Sequence, residues 1–114
     1  YDVVQAFSAS HTSYLLSTLP PLFLGKLLGK KVILNYHCGE AEAHLRRWRL
    51  VTAPTMRMFD RIVVPSEFLR EVFERHGFAA TAIHNFVDGD KFRFRERENL
   101  KPVFLANRNL EPHY

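Results

Sequence analysis

Histidine 37 is the residue best placed for chemistry. It ends the apolar run Val32-Ile33-Leu34-Asn35-Tyr36 and is followed by Cys38-Gly39-Glu40. A strand that stops at His, with Gly two residues on, puts an imidazole at the carboxyl edge of a sheet, where α/β proteins hold ligands. There it can donate to a hydroxyl or stabilise charge on a transferring group. The other reading is a structural His bonded to a loop carbonyl. Ser66 stands at a second strand end, in Val63-Val64-Pro65-Ser66-Glu67-Phe68. Ser is a strong N-cap, and Glu67 and Glu71 suit the N-terminal half of a helix. The amides of Glu67 and Phe68 would be free to hold an anion or a hydroxyl, alongside the capping role.

Other reactive types give less. Cys38 adjoins His37, but neighbours on a strand face opposite ways, so a Cys-His nucleophile is not expected. His37, Glu40 and His44 do not have a metal-ligand spacing, and no metal site is predicted. His11 falls in the loop after the first strand, either as an exposed loop residue or facing a substrate. Arg46-Arg47-Trp48-Arg49 reads first as a solvated helix face with Trp48 in the core, and second as a contact for anionic lipid.

The elements that must position these residues alternate. Apolar, β-branched runs at 3–7, 31–36, 61–64 and 81–84 read as strands buried on both faces. Between them lie helical segments at 13–29, with Pro21 in a first turn and Gly29 as the stop, at 42–59, interrupted near Pro54, and at 67–76, ended by Gly77. This order predicts a Rossmann-like, doubly wound α/β fold with a parallel sheet and helices on both faces. Residues 89–101 turn charged and read as a connector, and 103–106 as a strand of a second domain. The expected division is 1–88, 89–101 and 102–114.

With 114 residues, 46% hydrophobic and 25% charged, the chain suits one modest core. Its formal charge of +4 fits an anionic partner such as a nucleotide diphosphate or an acidic membrane surface. One cysteine excludes an internal disulfide and fits a reducing, cytoplasmic compartment. The apolar run 14–28 is broken by Ser17, Thr18, Pro20, Pro21 and Lys26, so it is not read as a membrane span. Neither end has a starting or terminating logic, and the chain reads as a piece of a longer protein.

Val-Val-Pro-Ser-Glu-Phe-Leu at 63–69, Tyr36-His37-Cys38-Gly39, Asn85-Phe86-Val87-Asp88 and Arg108-Asn109-Leu110-Glu111-Pro112 together resemble the retaining, GT-B-fold glycosyltransferases of family 4. The resemblance runs from the first strand to Arg108. It implies most of an acceptor-side N-terminal domain and the start of a donor-binding one. It also implies transfer of a sugar from a nucleotide-sugar donor to a carbohydrate or lipid-linked acceptor, with peripheral membrane association in some members and no metal or other cofactor. His37 would approach the donor sugar as the catalytic residue, with Gly39 in the same motif. Ser66 and Glu67 would line the cleft, and Arg108 would grip the donor diphosphate through its planar fork. His11 would face the acceptor.

Two departures stand out. Phe86 replaces a family Gly, and His113 and Tyr114 occupy the segment where a Lys is common. This piece alone is expected to be inactive. The competing reading is a non-enzymatic doubly wound ligand-binding module, although the acidic cluster of a response regulator is absent. A nucleic-acid partner is not expected, because neither an aromatic platform nor a helix-turn-helix signature is present.

Overall fold

The computed structural model describes residues 2–8, 10–92 and 96. Four parallel strands, β1 (Val3–Ser8), β2 (Lys31–Tyr36), β3 (Arg61–Val64) and β4 (Thr81–Ala82), lie in the order β1-β2-β3-β4. Helices alternate with them: α1 (Leu19–Leu27), α2 (Ala41–Arg47), α3 (Arg49–Met56) and α4 (Glu67–Arg75). The Rossmann-like α/β expectation holds. Strands β2 and β3 match their expected bounds, β1 runs one residue further, and β4 stops two residues early, with the Ile83 amide still bonded to the Val64 carbonyl at 2.8 Å.

The residues of one sheet face are buried: Ala6, Val32, Leu34, Tyr36, Ile62 and Val64. Register puts Ala6 beside Leu34 and Leu34 beside Ile62, so they form one layer. All four helices lie on this side. Gly25 of α1 comes so close that a Cβ there would meet Val32 Cγ2 at 2.7 Å. From α4, Phe73 stands edge-on to Tyr36 at 5.2 Å, with Leu69 and Val72 buried beside it at helical spacing.

The opposite face is not covered among the described residues, and Val3, Phe7 and Ile83 there are 52%, 63% and 60% exposed. Helices on both faces were expected. Strands added in one direction, each through a right-handed crossover, put every helix on the same side, and only a reversal of strand order fills the other. The described residues thus carry one of the two helical layers of this architecture.

The sequence 42–59 breaks at Trp48, not near Pro54. Trp48 leaves helical geometry at φ −104° and ψ 23°, and its carbonyl accepts from both Val51 and Thr52 at 2.9 Å, starting α3 afresh. Pro54 then sits inside α3, exposed on its outer side. Before α1, Pro20 and Pro21 withhold two amides, and residues Tyr14–Thr18 form a π-helical turn closed by Leu19 N–H on the Tyr14 carbonyl. Gly29 and Gly77 end α1 and α4 at φ 66° and 82°, a region open to Gly without steric cost.

At the amino edge of the sheet, Asp60 ties strands to helix. Its carboxylate accepts from the Val32 amide at 2.7 Å and pairs with Lys26 at 2.7 Å and Lys31 at 3.3 Å. The Lys26 hydrogen bond, followed by the Val32 amide, holds its carboxyl well below the usual range.

Candidate functional site at the carboxyl edge of the sheet

The carboxyl ends of β1 and β2 carry two groups of polar side chains, one on each face of the sheet. On the open face, His37 continues the β1–β2 ladder through its amide, which donates to the Ser8 carbonyl at 3.1 Å. It follows Ile33 and Asn35 on the same side, and its side chain is exposed. With Phe7, Asn35, Ile83, His84 and Asn85 it lines an open cavity of about 620 Å³. Asn35 Oδ1 is buried there without a hydrogen-bond partner.

On the covered face the loop after β1 meets α2. His11 takes a left-handed backbone, φ 59°, and its amide donates to His44 Nδ1 at 3.0 Å. His11 Nε2 lies 3.4 Å from Glu40 Oε2, both partly exposed. Ser10 Oγ and the Tyr36 hydroxyl share a hydrogen bond of 2.7 Å, and Tyr14 and Thr55 share another of 2.7 Å.

His44 itself is fully buried, edge-on to Tyr14 at 5.1 Å and close to Tyr36 and Trp48. Burial, with His11 nearby, lowers its pKa to about 4. Burial likewise pushes the Tyr14 phenol up to about 12 and the Tyr36 phenol higher still, so all three are uncharged at neutral pH.

The expected site residues therefore divide. His37 and His11 occupy opposite sides of the sheet. Gly39 lies exposed in the turn between β2 and α2, with nothing within 4 Å of a Cβ position. Ser66 caps α4 by accepting from the Leu69 amide at 3.3 Å, and Glu67 pairs with Arg70 at 2.5 Å. Phe86, which stands where the family has Gly, is 94% exposed and its backbone is not at positive φ. Asp88 accepts from the Asp90 amide at 3.2 Å and starts a 3₁₀ turn, Gly89–Lys91. Arg108, the expected strand 103–106 and most of the connector lie outside the described residues.

Sequence reasoning missed His44 and Glu40 as a unit with His11. The signal was present: Ala41, His44, Leu45 and Trp48 recur at helical spacing, which marks the core face of α2.

Arg46, Arg47 and Arg49 are exposed and Trp48 is half-buried, the arrangement of a solvated helix face. Among the described residues no helix is long and apolar enough to cross a membrane, and no three His, Cys, Asp or Glu side chains gather as metal ligands would.

No curated protein and no solved structure matches the chain significantly. The model of Glycosyltransferase Family 4 matches residues 1–91, which takes in the whole parallel sheet and both polar groups at its carboxyl edge. By that match the chain belongs to glycosyltransferase family 4.

Proposed function

We propose that this chain is the acceptor-side part of a retaining, GT-B-type glycosyltransferase that moves a sugar from a nucleotide-sugar donor to a carbohydrate or lipid-linked acceptor. The observation that carries the reading is His37: an exposed imidazole at the end of β2, on the rim of a 620 Å³ cavity, inside the family match. In this role His37 donates to the donor sugar and steadies charge as the glycosidic bond to the diphosphate breaks. Gly39 keeps the turn beside it free of side-chain bulk. Ser66 and Glu67, at the start of α4, line the same edge.

Arg108 offsets the leaving diphosphate by a two-point hydrogen bond. With cationic side chains and helix N-termini in that task, no metal is required. The enzyme works in the cytoplasm, with its basic α2–α3 surface toward the membrane when the acceptor is lipid-linked. Arg46, Arg47 and Arg49 are exposed on that surface. Residues 1–88, 89–101 and 102–114 act as acceptor domain, connector and first part of the donor domain. Taken alone, this piece does not turn over substrate.

The test uses the full-length protein with UDP-, GDP- and ADP-hexoses and a lipid and glycan extract as acceptor source. Nucleoside diphosphate release that needs acceptor and falls in His37→Ala supports the reading. Retention is read from the anomeric coupling of the product.

A further inference from the structure

Buried His44 presents a cost that its contacts must explain. Its Nδ1 accepts the His11 amide, so the ring proton of the neutral imidazole sits on Nε2. Nε2 is buried and has no hydrogen-bond partner. A leucine would fill the space between Tyr14, Tyr36 and Trp48 without leaving a polar atom unpaired. What histidine adds is the bond to the His11 amide.

That bond acts on an unfavourable backbone. His11 is the one non-glycine residue at positive φ among those described, at 59°. Its carbonyl accepts the Tyr14 amide at 3.1 Å, and Ser10 before it is tied to Tyr36, so the turn is held on both sides. The result is a side chain aimed at Glu40, with His11 Nε2 3.4 Å from Oε2 and side-chain exposures of 37% and 62%. A carboxylate and an imidazole side by side, both open to solvent, suit two adjacent hydroxyls, the carboxylate accepting from one while the ring pairs with the other.

We propose that His11 and Glu40 form a two-point clamp for the vicinal hydroxyls of a neutral sugar acceptor, and that His44 is the positioning residue that sets the clamp. This inference rests on the transferase reading above and adds the acceptor class and the residues that bind it.

The test is a titration of D-glucose, as a neutral diol probe, into the isotopically labelled protein, following His11 and Glu40 by NMR. The wild type is expected to give a saturable response at both residues, weakened at Glu40 in His11→Ala and at His11 in Glu40→Gln. His44→Leu removes the acceptor but keeps the burial. Released from the bond, the left-handed turn is depopulated, so glucose affinity falls about tenfold and the His11 amide loses its exchange protection. His44→Asn returns a carbonyl oxygen close to the Nδ1 position and should restore both within about twofold. Because the Asn variant keeps an acceptor, it separates positioning from a general loss of fold.

A wild-type protein without a saturable response, or a His44→Leu variant that folds, protects the His11 amide and binds glucose as the wild type does, would overturn the proposal. Acceptor-dependent nucleoside diphosphate release by the full-length protein is scored separately. Turnover without glucose binding overturns the clamp and leaves the transferase reading intact. Glucose binding without turnover supports the clamp and counts against the transferase.

Discussion

The His11 amide donates to His44 Nδ1 at 3.0 Å, joining the loop after β1 to the core face of α2. The bond exists only while His44 is neutral, because protonation converts Nδ1 from acceptor to donor.

Acid should therefore act through His44. Its pKa is lowered to about 4 by burial and by His11, from an unfolded value near 6.5. The stability attached to the neutral ring is fully present above pH 6.5 and is lost as pH falls through the folded value. Groups facing the ring are His11, Tyr14, Tyr36 and Trp48, none of them anionic at neutral pH or below. Between pH 7 and pH 4 the contribution is on the order of 2–3 kcal/mol. Urea midpoints across this range should fall more steeply for the wild type than for His44→Asn. Parallel curves would contradict it.

Replacing His11 by Gly should stabilise the fold or leave it unchanged, since the left-handed backbone costs a non-glycine residue about 1–2 kcal/mol. His11→Val should destabilise by at least about that amount, because β-branching makes the same backbone worse. Thermal unfolding of the two variants checks the order. A Gly variant less stable than the Val variant would mean that the turn is not left-handed in solution.

Gly25→Ala tests the closeness of α1 to the sheet. Ala is the better helix former by about 1 kcal/mol, yet its Cβ would lie 2.7 Å from Val32 Cγ2. Overpacking of this kind costs about 1–3 kcal/mol, so the net change should be destabilising. Val32→Ala in the Gly25→Ala background should recover part of the loss. Denaturant unfolding of the single and double variants measures the coupling between the two sites.

The proposed grip of Arg108 on the donor diphosphate can be tested by separating its charge from its shape. In the full-length protein Arg108→Ala should raise the dissociation constant for nucleoside diphosphate by at least about tenfold, the effect of losing a charge-assisted bond. Arg108→Lys should fall between, because it keeps the charge and loses the fork. Calorimetric titration decides it, and equal affinities would make Arg108 a surface charge.

Much of this architecture was legible because it is locally encoded. β2 and β3 are short apolar runs between sharp stops, and Ser66, Gly29 and Gly77 do in the structure what their types suit them to do. The break at Trp48 was not legible, since no Gly or Pro marks it and Pro54 pointed elsewhere. The single helical layer follows from strand order, which no local pattern states. His37 could be placed from sequence because a strand end is a local feature. The His11–Glu40–His44 group could not: His11 and His44 are 33 positions apart, and a histidine on a core face looks the same in sequence whether it packs or positions.

In the proposed function His37 serves sugar transfer from the open carboxyl edge of β2. Acceptor-dependent nucleoside diphosphate release by full-length His37→Ala tests it most directly, with thermal unfolding as the companion measurement. A loss on the order of a hundredfold in turnover with an unchanged unfolding midpoint is expected, because the side chain is exposed at the cavity rim rather than packed. Full turnover in a folded His37→Ala protein would contradict it.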